Sequence, residues 1–172
     1  MFNITIIKVT TNDVASLQCI GKQTFYETFA TGNTEEDMQM YLNESFNTDK
    51  LIIELQEQNS EFYFALLNNE PIGYLKLNFG EAQTELKDET AIEIERIYVL
   101  KEFHGKLVGQ VLYNQALEVA KQVSANYIWL GVWEKNLRAI NFYTKNGFEE
   151  FDKHLFKLGK DEQIDIMMKL KL

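Results

Sequence analysis

Apolar positions change period several times along the chain, and the changes divide it into elements. Ile4–Val9 alternates and is β-branched, which predicts a strand. Asn12 or Asp13 then offers an N-cap to a helix running toward Phe29. Thr34 ahead of Glu35-Glu36-Asp37 marks a second helix, because acids suit the positive end of the helix dipole and Thr34 and Asp37 stand at capping-box spacing. Met38, Tyr41 and Leu42 follow at helical spacing, and this element ends near Phe46. A third helix, starting at Thr48, places Leu51, Ile52 and Leu55 on one side.

The texture changes after these helices. Phe62–Leu67 is a compact apolar run, Asn68-Asn69-Glu70-Pro71 is turn chemistry, and Ile72–Phe79 alternates, which together predict an antiparallel hairpin. The polar, acidic stretch Gly80–Thr90 reads as a loop and Ala91–Val99 as a strand. Gly105–Val123 reads as a turn followed by an amphipathic helix with Leu112, Ala116, Val119 and Ala120 along one stripe. Tyr127–Val132 is a short buried strand, and Asn136 caps a helix that Gly147 ends. Phe148–Phe156 and Ile164–Leu170 predict two closing strands. No repeat, linker or low-complexity stretch interrupts this order, which predicts one mixed α/β domain over residues 1–172.

Composition narrows the class. A chain of 172 residues, 45% hydrophobic, can bury roughly two-thirds of the surface its unfolded form exposes without disulfide staples. Cys19 is the single cysteine, so no intrachain disulfide can form, and a reducing, cytoplasmic home is expected. Beside Ile20 in the first helix, Cys19 reads as a small buried hydrophobe. No apolar run approaches 18 residues and no basic-then-apolar leader opens the chain, so no membrane partner is expected.

The net charge of −9 is unevenly placed. Residues 1–90 hold 5 basic and 15 acidic side chains, whereas residues 91–172 hold 12 basic and 11 acidic ones. The first half repels nucleic acid and attracts cations, while the near-neutral second half can accept an anion.

The candidate chemistry lies in the second half. Between the strand ending at Val99 and the next helix stand His104, Gly105, Lys106, Leu107, Val108 and Gly109. A tight strand-to-helix turn aims unpaired N–H groups and the positive helix end at one point, where phosphate binds readily. Lys106 would add a countercharge, and glycine lets phosphate oxygens approach the backbone. The spacing is neither a Walker A loop nor a dinucleotide fingerprint. His104 and His154, the two histidines, have no metal-ligand spacing, so no metal is expected. Glu93 and Glu95, two apart on one strand, share a face and are candidates for a general base or water-holder; the alternative is that both face solvent or pair with basic neighbours such as Arg96 or Lys76.

The run Ile94-Glu95-Arg96-Ile97-Tyr98-Val99, continued by His104–Gly109, resembles motif A of the GNAT acetyltransferases. Trp129-Leu130-Gly131-Val132-Trp133-Glu134-Lys135-Asn136, Ala139–Tyr143 and Gly147-Phe148 extend the likeness. Nearly end to end, including Thr24-Phe25, Phe46-Asn47-Thr48, Glu162-Gln163 and Asp165, the chain resembles the bacterial spermine/spermidine acetyltransferases of the PaiA type.

The resemblance implies a splayed, mostly antiparallel central sheet flanked by helices, with acetyl-CoA between the strands ending at Val99 and Val132. It implies that Ile97, Tyr98 and Val99 carry the backbone that meets the pantetheine and acetyl carbonyl. The turn His104, Gly105, Lys106, Leu107, Val108 and Gly109, with Gln110, would hold the pyrophosphate. Asn136 would contact the pantetheine or adenosine, Lys145 the nucleotide phosphates, and Tyr143 would be the general acid for the departing thiolate. The acceptor would be a small amine, most simply a polycationic polyamine drawn to the acidic first half, and many relatives dimerise. An acetyltransferase for another amine and a CoA-binding regulatory domain without turnover stay open. One position departs from the pattern: Leu107 stands where the family places glycine, which is expected to forbid a positive φ and to weaken cofactor binding.

Overall fold

The computed structural model describes residues 3–158 and 161–172; of the expected span, residues 1–2 and 159–160 lie outside the described residues. Strand β1 (Thr5–Lys8) leads into helices α1 (Val14–Phe29), α2 (Glu35–Ser45) and α3 (Thr48–Gln56). Strands β2 (Ser60–Leu67), β3 (Glu70–Phe79) and β4 (Ala91–Val99) follow, then α4 (Val108–Gln122), β5 (Tyr127–Trp133), α5 (Leu137–Lys145), β6 (Glu149–Leu158) and β7 (Asp161–Lys171). Among the described residues the strands form a seven-stranded sheet in the order β1-β2-β3-β4-β5-β7-β6. Every neighbouring pair is antiparallel except β4 and β5.

Local chemistry sets many of the boundaries. The Thr34 hydroxyl accepts from Asp37 N–H at 3.1 Å and starts α2, and the Asn47 side chain accepts from Lys50 N–H at 2.8 Å and starts α3. Asn68 and Asn69 carry φ of 52° and 68°, the two positive values that a two-residue hairpin turn requires, so β3 begins at Glu70, earlier than the proline suggests. Within the expected loop after β3, Gly80–Ala82 forms a short 3-10 turn. The buried Gln83 ties this segment down: its amide donates to Gly80 O and Asp88 O, and its Oε1 accepts from Trp129 Nε1–H at 2.7 Å.

The two faces of the sheet bury separate cores. On one face Leu75, Leu77, Ile92, Ile94 and Ile128 pack against the Leu112, Ala116 and Val119 stripe of α4. On the other, Phe62, Phe64 and Tyr74 pack beneath Leu17, Phe25, Met38 and Leu51 of the first three helices. Cys19 is exposed rather than buried. Leu17, Ile20, Gly21, Thr24 and Phe25 make the buried stripe of α1, and Cys19 falls outside that period.

Candidate active site

Parallel pairing between β4 and β5 stops after three residues, at Glu93↔Trp129. Beyond that point β4 stays paired to β3 and β5 to β7, so the sheet splits and a cleft of about 720 Å³ opens between them. A β-bulge interrupts the β3–β4 register where Lys76 pairs with Arg96 and Leu77 with Ile94, leaving Glu95 as the extra residue. The bulge therefore puts Glu93, Glu95, Arg96 and Tyr98 on the α1–α3 side and Ile94, Ile97 and Val99 on the α4 side.

The α4 side of the cleft carries the turn and α5. Leu100 N–H donates to Ile72 O on β3, so strand alternation turns the N–H groups of Ile97 and Val99 to the open edge. His104 Nε2 lies 2.8 Å from Val99 O. A carbonyl only accepts, so Nε2 carries the hydrogen, and the Val99 carbonyl is engaged within the chain. Burial lowers the pKa of His104, and the Arg138 guanidinium, 3.2 Å from the same nitrogen, further opposes a second proton. Gly105 and Leu107 both have positive φ, 75° and 65°. The expectation that leucine would forbid this conformation is overturned: Leu107 adopts it as the N-cap of α4, with its side chain 63% exposed. Exposure removes the crowding that would otherwise exclude a β-carbon here, although the intrinsic penalty of about 1–2 kcal/mol remains. The N–H groups of the first turn of α4 open toward the cleft that Val108, Gly109 and Gln110 line.

Not every residue expected at this end reaches it. Lys106 and Lys145 are not among the cleft-lining residues; Lys106 Nζ lies 5.1 Å from the Phe103 ring and Lys145 is exposed in the last turn of α5. The Gln110 amide donates to Asn114 and Asn146, which joins the start of α4 to the end of α5 and leaves only its backbone for a ligand. Asn136 lines the cleft, but its Oδ1 caps α5 by accepting from Ala139 N–H at 3.2 Å. The cation at the turn is Arg138, which sequence reasoning missed; its position two residues after the Asn136 cap, on the first turn of α5, was the available signal. It has no carboxylate partner among the described residues, so the donor set there suits an anion.

Tyr143 projects from α5 at 6% exposure and lines the cleft. Its ring packs against Phe142 and Phe148 at 5.5 and 5.6 Å, and its hydroxyl has no hydrogen-bond partner among the described residues. Burial raises its pKa well above the ordinary tyrosine value, so it holds its proton at neutral pH.

The α1–α3 side differs in chemistry. Rings of Phe25, Phe29, Tyr41, Phe46 and Trp133 form an aromatic wall, with Phe25 stacked on Tyr41 at 4.5 Å and Phe29 against Trp133 at 5.4 Å. Glu95 is held by Lys76 at 2.6 Å and Arg96 at 3.2 Å, and both cations also meet Glu54. These cations bring the Glu95 pKa down to about 2 against the opposing effect of burial, which removes it as a proton acceptor near neutrality. Glu93 is 3% exposed and its carboxylate accepts from Thr84 Oγ1–H at 2.5 Å, Thr84 N–H at 2.8 Å and Asn78 Nδ2–H at 3.0 Å. Burial raises its pKa despite those bonds. Sequence reasoning placed no role on Glu85, His154 and Asp165, which line the same end. The β3–β4 loop and the β6–β7 hairpin bring them there, and no local motif announces that meeting.

Comparison with known proteins fits this geometry. Residues 24–148 match the Acetyltransferase (GNAT) family, and the chain belongs to that family. It is 40% identical over 169 residues to an N-acetyltransferase encoded near pepI in Lactobacillus delbrueckii subsp. lactis, covering 98% of both chains. It is 25% identical over 154 residues to a spermidine N(1)-acetyltransferase of Thermoplasma acidophilum, covering 87% of this chain and 91% of that one. The solved PaiA N-acetyltransferase of Thermoplasma acidophilum, in complex with coenzyme A, superposes with a TM-score of 0.82 over 99% of each chain at 23% identity, which shows the shared fold. The chain is an acetyl-CoA-dependent N-acetyltransferase.

Proposed function

We propose that residues 1–172 act as one domain that acetylates a primary amine of a polyamine such as spermidine or spermine. The observation that carries this reading is the α1–α3 wall of the cleft, where aromatic rings stand among the carboxylates Glu85, Glu93 and Asp165. Rings suit methylene spacers, carboxylates suit ammonium groups, and the acidic first half of the chain draws polycations toward both. The distant relative named for spermidine supports the same acceptor class.

Acetyl-CoA supplies the acetyl thioester. The N–H groups of Ile97 and Val99 stabilise negative charge developing on the acetyl oxygen. The first-turn N–H groups from Val108 to Gln110, with Arg138, hold the pyrophosphate. Tyr143 gives a proton to the leaving sulfur, which its high pKa keeps available. Asn136 acts by fixing α5, and hence Tyr143 and Arg138, at the cleft.

A thiol-release assay with acetyl-CoA and a panel of amines tests the acceptor class. Release is expected with spermidine and spermine. Release confined to amino acids, aminoglycosides or peptides would move the assignment to another amine, and coenzyme binding without release would leave a regulatory domain.

The strained turn gives a separate expectation. Leu107 holds its positive φ in the folded chain, so the strain weighs on folding. Leu107→Gly relieves about 1–2 kcal/mol of strain and adds about 0.5–1 kcal/mol of unfolded-chain entropy. A net stabilisation of about 0.5–1 kcal/mol in urea denaturation, with unchanged coenzyme affinity by calorimetry, is the expected result. Lower stability would show that the leucine side chain contributes contacts that outweigh the strain.

A further inference from the structure

An amine must lose a proton before it can attack a thioester, and the cleft offers four carboxylates near its acceptor end: Glu85, Glu93, Glu95 and Asp165. Their surroundings differ enough to separate their roles. Glu95 is locked between Lys76 and Arg96. Glu93 already accepts three hydrogen bonds from Thr84 and Asn78. Glu85 is paired with His154. Asp165 has no hydrogen bond or ion pair with any described side chain, although it is partly buried and lines the cleft.

Its placement is specific. Asp165 lies opposite Trp133 across the β5–β7 pair and opposite His154 across the β6–β7 pair. The neighbouring position on that face of β5 is Gly131, two residues past the last β4–β5 pair and therefore at the mouth of the split. A β-carbon at 131 would stand 3.6 Å from Asp165 Oδ2, in direct contact with it. Glycine there keeps the carboxylate open to the cleft at the level where the two halves of the sheet part. Trp129, Gly131, Trp133 and Asp165 share the face that also carries Glu93, so the Asp165 carboxylate lies on the same side of the sheet as the aromatic wall.

We infer that Asp165 is the catalytic base that takes the proton from the acceptor ammonium, an assignment that rests on the amine-acetylation reading above. The ammonium N–H bond breaks and leaves its electron pair on nitrogen. A carboxylate lone pair of Asp165 forms the new O–H bond, and that proton then passes to solvent, which restores the carboxylate.

The titration of the group suits the task. Burial raises the Asp165 pKa to about 6, with His154 pulling it down and Glu85 pushing it up. The titratable groups along the same wall are His154 on β6, Glu85 in the β3–β4 loop, and Glu93 and Glu95 on β4. Below about pH 6 Asp165 is protonated and cannot accept a proton; above it the carboxylate is free, so turnover rises with pH through that value.

The test measures kcat and KM for spermidine between pH 5 and 8, with coenzyme affinity as the check on folding. Wild type is expected to show a limb near pH 6. Asp165→Asn should lower kcat about 10²-fold, leave coenzyme affinity unchanged and abolish the limb, while Asp165→Glu restores one. His154→Gln removes the side chain that pulls the Asp165 pKa down and should move the limb to higher pH, and the Asp165 carboxyl resonance in the ligand-free protein should move with it. This pair of measurements decides the matter if Asp165→Asn fails to fold. An unchanged kcat and limb in Asp165→Asn, or an unmoved limb and resonance in His154→Gln, overturns the inference and leaves polyamine acetylation standing. Release by wild type with no amine overturns both.

Discussion

Tyr143→Phe is expected to lower kcat for acetyl transfer about 10²–10⁴-fold, the range for loss of a positioned general acid. The change removes one oxygen and keeps the ring, so the edge packing against Phe142 and Phe148 survives. No hydrogen bond to a described residue is lost, because the hydroxyl makes none. Stability should therefore move by less than about 1 kcal/mol, within the range of conservative substitutions. Burial holds the proton on the wild-type hydroxyl far beyond neutral pH, so the defect should appear at every pH from 6 to 9 without a new limb. Steady-state kinetics with the preferred amine, coenzyme affinity by calorimetry and a thermal melt check this together. A kcat within threefold of wild type would remove Tyr143 from the proton path.

The second large effect concerns stability. Glu54, Lys76, Glu95 and Arg96 form a linked set of ion pairs whose side chains are 7% to 20% exposed, with Arg96 also lying 5.4 Å from the Phe46 ring. Two buried anions share two buried cations, so removing one cation leaves carboxylate charge without compensation. Arg96→Met is expected to destabilise the fold by about 3–5 kcal/mol, the cost of breaking a buried pair from one side. For a chain of this length that is a fall in Tm of roughly 10 °C.

The pH dependence follows from the sign of the Glu95 shift. Its folded pKa of about 2 lies below its ordinary value of 4.5, so its contribution is full above pH 5 or so and is lost as pH falls toward 2. The deficit of Arg96→Met should therefore be largest near neutrality and shrink below pH 4, as measured by urea denaturation across that range. A deficit under 1 kcal/mol, or one that does not change with pH, would show that the ion pairs contribute little.

Much of the architecture was legible because its signals are local. The Thr34 and Asn47 caps, the paired asparagines at 68 and 69 and the α4 stripe each state their own element within a few residues. The candidate site was legible in part for the same reason. The turn after β4 and the segment from Trp129 to Tyr143 are continuous in sequence, and Tyr143 and Asn136 do reach the cleft. The errors are equally specific. Cys19 misses the buried stripe of α1 because neighbours one and two residues away lie on other faces of a helix. Lys106 was read as a phosphate countercharge from its place in the turn and Lys145 from the family resemblance; neither lines the cleft, whereas Arg138 on the first turn of α5 does.

The chain's own pattern determined the order of strands and helices, the position of the turn before α4 and the presence of Tyr143 on α5, since each depends on spacing and caps over a few residues. Only the tertiary structure decided that pairing between β4 and β5 ends at Glu93, that the Lys76–Leu77 bulge locks Glu95 into ion pairs, and that Asp165 meets Gly131 at the split. Those outcomes depend on register between strands far apart in sequence. A shift of one residue would exchange the faces of the sheet, and no short stretch of sequence encodes that choice.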